Sequence, residues 1–282
     1  MKMKMTLAAG ALALAFAGQA SAAIVSGATG SSSLVLSIWD TTSATSYTGV
    51  VGNLDFASFS AGVSGTASAL VANSSGFATD TFATNATLTS YLAGVTLGTT
   101  LWNVTAVDNS GTGAFGQKAL VTTTNANIKA ATGSAAVAQQ NTTLQAAINN
   151  VDAFYTSAGA FGTPATFTSA DGAAYAGTGM TTNSKTKLNF DTTATIGSSL
   201  NFWYLTPSST MTTAKASVAQ FNGGASAATW TLDAAGNLTF ANGAPAVAPV
   251  PEPGEWLLML SGLALIGFIA TRRKEEGSVT FA

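Results

Sequence analysis

Hydrophobic and polar residues alternate along several stretches of the chain, and a period of two predicts strands. In Leu34-Val35-Leu36-Ser37-Ile38-Trp39, residues Leu34, Leu36 and Ile38 share one face. Leu54 and Phe56 do so within Asn53-Leu54-Asp55-Phe56. From Leu101 to Val107, Trp102 and Val104 oppose Asn103 and Thr105. From Leu200 to Leu205, Leu200, Phe202 and Tyr204 oppose Asn201, Trp203 and Leu205. Thr229-Trp230-Thr231-Leu232 and Asn237-Leu238-Thr239-Phe240 flank Asp233-Ala234-Ala235-Gly236 and predict a hairpin, with Gly236 supplying a positive φ. Asp171-Gly172 and Asn222-Gly223-Gly224 mark further turns. One segment changes period. Leu144, Ala147, Ile148, Val151 and Tyr155 fall at helical spacing, with Asn141 as a start signal and Gly159 as a stop. The Ala-rich stretch Lys129 to Gln140 extends that helix or forms a second one. No fixed-period repeat points to a solenoid or propeller. The expected fold is mainly β: an antiparallel β-sandwich over residues 23–240 with one or two helices, plus an N-terminal signal helix and a C-terminal transmembrane helix.

Composition narrows the chemistry. The 282 residues are 47% hydrophobic and 8% charged, with no Cys and no His, so imidazole and thiolate catalysis or metal ligation are excluded. No metal or cofactor is expected. Between Ala23 and Val250 stand five Lys and eight Asp, no Arg and no Glu, a net charge of −3. Such a body lacks the clustered cations that nucleic acid requires.

The two ends read as addresses. Lys2 and Lys4 precede an apolar run from Leu7 to Ala17, and Ala20-Ser21-Ala22 gives a small-x-small cleavage site, so the expected mature chain begins at Ala23. This makes residues 1–22 a signal peptide handled by signal peptidase and the secretion machinery. Residues 241–249, with Pro245 and Pro249 among small residues, read as a linker. Then come Pro251-Glu252-Pro253, Trp256, an apolar run from Leu257 to Ala270, and Arg272-Arg273-Lys274. The prolines hold their segment extended, as a protease cleft requires. Trp256 to Thr271 as a helix covers ~24 Å, short of a ~30 Å hydrocarbon core unless the basic cluster snorkels. The expected topology keeps that cluster and residues 275–282 cytoplasmic.

This tail, residues 250–274, resembles the PEP-CTERM sorting signal of Gram-negative bacteria. The resemblance rests on Pro251, Glu252, Pro253, Trp256, Arg272, Arg273 and Lys274 in that order. It implies an exosortase as processing partner, export across the inner membrane, transient anchoring there through residues 256–271, and a final place at the cell surface or in an extracellular polysaccharide matrix. The extension Glu275 to Ala282 departs from the usual end of such tails.

Candidate chemistry in the body is sparse. The carboxylates are Asp40, Asp55, Asp80, Asp108, Asp152, Asp171, Asp191 and Asp233. A glycosidase needs two of them roughly 5–10 Å apart, and their spacing suggests no pair. Ser184-Lys185-Thr186-Lys187 has the S-x-x-K spacing of Ser-Lys hydrolases, but its alternation predicts a strand, which points residues three apart to opposite faces. Asp108-Asn109-Ser110-Gly111-Thr112-Gly113 reads as a turn rather than a calcium loop, lacking the terminal Glu. Trp39, Trp102, Trp203, Tyr204 and Trp230 are core residues or a sugar-stacking face, with Trp203 the candidate for carbohydrate contact. Asn73, Asn85, Asn103, Asn141 and Asn237 begin N-x-S/T sequons, matches expected by chance in this composition. The expected function is therefore that of an exported, non-enzymatic surface or matrix protein of a biofilm or exopolysaccharide. The alternatives are a carbohydrate-binding module and, last, an Asp-dependent hydrolase.

Overall fold

The computed structural model describes residues 23–125, 128, 140–180, 186–188, 190–244 and 261–266. The chain divides into two compact units, Met1–Ala244 and Pro245–Ala282. The first carries β1 (Ser33–Asp40), β2 (Thr45–Asp55), α1 (Phe56–Ser60), β3 (Val63–Thr66), β4 (Ala69–Asn73), β5 (Asp80–Phe82), α2 (Ala86–Ala93), β6 (Leu101–Asp108) and β7 (Ala119–Thr124). It continues with α3 (Asn141–Gly159), β8 (Ala165–Thr168), a short α4 (Thr186–Leu188), β9 (Ala194–Thr195), β10 (Ser199–Thr206), β11 (Ser217–Asn222), β12 (Thr229–Leu232) and β13 (Leu238–Ala241).

The strands form one large open sheet in the order β3-β4-β11-β10-β7-β6-β1-β2-β8. Among the described residues only β4 and β11 pair in parallel. β10 is a branch point: Trp203–Thr206 pair with β11 while Ser199–Asn201 pair with β12, which leads on to β13 and β5. The expected two-sheet antiparallel sandwich is therefore corrected to a mixed α/β fold around a large mixed sheet that does not close into a barrel.

The reason lies in the burial of both faces. All eight residues of β1 are buried. Leu34, Leu36, Ile38, Trp102, Val104, Phe202 and Tyr204 join one core, covered by α1, α2 and the β12–β13 hairpin. Val35, Trp39, Val107, Leu120, Trp203 and Leu205 join a second core under α3. α3 brings Leu144, Ala147, Ile148, Val151, Phe154, Tyr155 and Ala158 to that face at helical spacing. Polar residues in the alternation did not mark a solvent face. Several buried Thr and Ser hydroxyls are instead hydrogen-bonded inside the fold, as where Thr123 Oγ1 donates to the Thr192 carbonyl.

Local differences have local causes. Phe56, expected in a strand, opens α1, because Asp55 caps the Ser58 N–H while Ser58 Oγ accepts from the Asp55 N–H. α3 is capped at Gln140 rather than Asn141. The Asn141 amide instead donates to the Ser209 and Met211 carbonyls, fixing the loop beyond β10. The strand expected through Thr186 and Leu188 is the helical turn α4, while Ser184, Lys185 and the stretch 129–139 lie outside the described residues. The expected hairpin is observed, with Gly236 at φ +88° in its turn. The expected linker starts later than residue 241: Ser226 N–H donates to the Gly243 carbonyl at 2.9 Å.

In the second unit, residues 261–266 are helical. Among the described residues no helix is long and apolar enough to cross a membrane. The expected transmembrane helix over 256–271 is corrected accordingly, together with the transient inner-membrane anchoring that depended on it. The expected signal helix, residues 1–22, lies outside the described residues.

Candidate functional site

The aspartates serve the fold. Each of the eight accepts a hydrogen bond from a backbone N–H: Asp40 from Thr42, Asp55 from Ser58, Asp80 from Thr81, Asp108 from Ser110, Asp152 from Gly27, Asp171 from Thr168, Asp191 from Thr193 and Asp233 from Asn237. Most are turn and cap positions, where a carboxylate satisfies donors that secondary structure leaves unpaired, while Asp152 reaches from within α3 to the Gly27 N–H and the Asn109 amide. Burial pushes the carboxyls of Asp40, Asp55 and Asp233 up, but hydrogen bonds, chiefly from Ser43, Ser58 and Asn237 respectively, outweigh it and hold all three below the ordinary value. Among the described residues no group of three or more carboxylates is placed to hold a metal ion.

The aromatic platform is corrected. Trp39, Trp102, Trp203 and Trp230 are all fully buried, and Tyr204 is 5% exposed. Trp203 lies in the core beneath α3, so its ring presents no face to a sugar. Pro251, Glu252, Pro253, Trp256, Arg272, Arg273, Lys274, Ala20 and Ala22 lie outside the described residues; Ala23 is exposed where the described chain begins.

A different site emerges on the opposite face, at an irregularity in β2. Val35 pairs with Val50 and Ser33 with Asp55, so Val51, Gly52, Asn53 and Leu54 stand opposite Leu34 alone. This multi-residue bulge bends β2 away from β1 and opens a cleft of about 380 Å³. Tyr47, Asn53, Phe82, Asn85, Leu88 and Thr163 are among the residues lining it. Gly49 lets the Tyr47 ring lie along the strand, because a Cβ there would stand 2.4 Å from the Tyr47 hydroxyl. Gly52, at φ +54°, turns the bulge beside Phe82.

The polar groups of this cleft are held from behind. Asn85 Oδ1 caps α2 by accepting from the Leu88 N–H at 2.9 Å, which aims its Nδ2 at the Tyr47 hydroxyl 2.8 Å away. The Tyr47 oxygen thus accepts, while its own hydrogen has no acceptor among the described residues. Burial pushes this phenol up, partly offset by the Asn85 bond, so the group is a neutral donor at physiological pH. The Asn53 side chain is exposed and makes no hydrogen bond among the described residues. Phe82 stacks on Trp230 with ring centroids 6.0 Å apart, which fixes the apolar wall.

Among the described residues no charged side chain lines this cleft, nor two shallower ones at β4–β11 and beside α2 and β8. The arrangement can bind by neutral hydrogen bonds and apolar contact. Sequence reasoning missed it, since Tyr47 and Asn85 meet only through the fold; the glycines at 49 and 52 within a strand were the available signal. Comparison with known proteins finds no matching family model, no similar curated protein and no similar solved structure.

Proposed function

We propose that this chain is a non-enzymatic extracellular-matrix protein delivered by an exosortase-type processing step. The non-enzymatic part is supported by the engagement of each of the eight aspartates with a backbone N–H and by clefts without a charged lining among the described residues. General acid–base chemistry in a chain without His would fall to such carboxylates or to Lys. The delivery part is carried by one observation, the order of Pro251-Glu252-Pro253, apolar run and Arg272-Arg273-Lys274 at the end of the sequence.

Intact-mass measurement on protein recovered from the producing culture tests both ends at once. The expected chain starts at Ala23 and ends between Pro251 and Pro253. A chain that still ends at Ala282 in every fraction overturns the processing step.

A further inference from the structure

We infer that the cleft at the β2 bulge, between Tyr47, Asn53 and Phe82, is a binding site for a neutral, hydroxyl-rich ligand of the saccharide class. It adds a ligand to the non-enzymatic reading above and rests on it only in assuming that the ligand is held rather than cleaved.

Three features carry the assignment. The first is shape. About 380 Å³ lies within the range of small-molecule sites, and the bulge that opens it removes four residues from the β1–β2 ladder. Strand irregularities of this size are features a sheet retains at a cost in pairing.

The second is an unspent donor. Tyr47 is 2% exposed and its oxygen accepts from Asn85 at 2.8 Å, so the direction left to its hydrogen is set by the protein. A buried donor without a partner is costly, and a ligand hydroxyl or ring oxygen removes that cost. Asn53 adds a carboxamide that both donates and accepts.

The third is charge. The lining contains no Asp, Glu, Lys or Arg. An anionic or cationic ligand would be desolvated without a counter-ion. A wholly apolar ligand would leave the Tyr47 hydrogen without an acceptor and cover the Asn53 carboxamide unpaired. A saccharide offers hydroxyls to those groups and C–H faces to Phe82 and Leu88, which is the combination the lining matches.

The test is a titration of the full-length, 15N-labelled protein with the neutral trisaccharides maltotriose and cellotriose and with trigalacturonate as anionic control. The expected result is saturable shifts of the Gly49, Gly52 and Asn53 amides with at least one neutral probe and none with trigalacturonate. Tyr47→Phe, which keeps the ring, and Asn53→Ala, on an exposed side chain, should each weaken that binding about five- to tenfold. Gln220→Ala, in the β4–β11 cleft, should leave it unchanged. No shift at these amides with either neutral probe overturns the site. So do equal affinity for trigalacturonate and full affinity in both variants. Appearance of cleaved probe would instead overturn the non-enzymatic reading and leave the site standing.

Discussion

The hydroxyl of Tyr155 donates to the Thr105 carbonyl at 2.5 Å and lies 2.6 Å from Thr105 Oγ1. Tyr155 is wholly buried, so this contact joins the C-terminal part of α3 to the middle of β6 with no water to replace it. Tyr155→Phe keeps the ring and strands the Thr105 hydroxyl. The expected loss is about 1–3 kcal/mol of unfolding free energy, read as a lower urea midpoint at unchanged slope. An unchanged midpoint would show that the bond contributes nothing beyond packing.

Phe59 gives the opposite face its centre. It lies within 6.4 Å of the rings of Phe77, Phe202, Phe221, Trp230 and Phe240. One short helix therefore fills the space between both branches of β10. Phe59→Ala should cost about 3–5 kcal/mol and Phe59→Leu clearly less, since the cavity left behind sets most of the loss. Thermal or urea unfolding of the two variants side by side checks the ranking.

These contacts mark what the sequence could and could not disclose. β1, β6, β10, the β12–β13 hairpin and α3 were legible because each is specified by its own periodicity and turn residues. The facing of Trp203 was not. Alternation says that Trp203 lies opposite Phe202 and Tyr204, but not that a helix much earlier in the chain, Asn141–Gly159, covers that side. In a chain this rich in Thr and Ser, a polar residue at an alternate position can be as buried as Thr122 or Thr123. The bulge was illegible for a related reason. Leu54 and Phe56 keep the strand period while the ladder has already broken at Val51, and besides Gly49 and Gly52 within the strand, Asp55 and Ser58, as a capping pair, signalled the change. The cleft depends on Tyr47 meeting Asn85 through tertiary packing, which no local spacing encodes.

A buried row beneath α3 gives a prediction of reversed sign. Ser37 pairs with Thr48 on one side and with Asn103 on the other. Ser37 Oγ, Thr48 Oγ1 and Asn103 Oδ1 are buried without a hydrogen-bond partner. Replacing the hydroxyls by apolar groups of similar shape removes a desolvation cost and no bond. The double variant Ser37→Ala, Thr48→Val should be more stable by about 1 kcal/mol, raising Tm by about 2–4 °C. A fall in Tm would show that ordered water bridges this row and that the hydroxyls hold it.

The pH dependence of stability follows from which groups the fold perturbs. Burial raises the phenol of every tyrosine in the chain, Tyr91 and Tyr204 to about 12 and Tyr47, Tyr155 and Tyr175 in the same direction. The folded state therefore favours the neutral phenol. That contribution is complete below about pH 10, where unfolded tyrosine ionises, and is lost as pH rises from there through about 12. Asp40, Asp55 and Asp233 behave in the opposite sense. Their folded values lie below the ordinary 3.8, so their contribution is complete above that value and is lost as pH falls through the lower folded ones. With no His in the chain, no side chain of ordinary pKa titrates between about pH 5 and about pH 9. Tm should be flat from about pH 5 to about pH 9 and fall on both sides. Absorbance at 295 nm should report phenolate only together with unfolding on the alkaline side. A Tm that slopes steadily between pH 5 and 9, or phenolate appearing in the folded protein near pH 10, would show that the tyrosines are more open to solvent than their burial in the two cores requires.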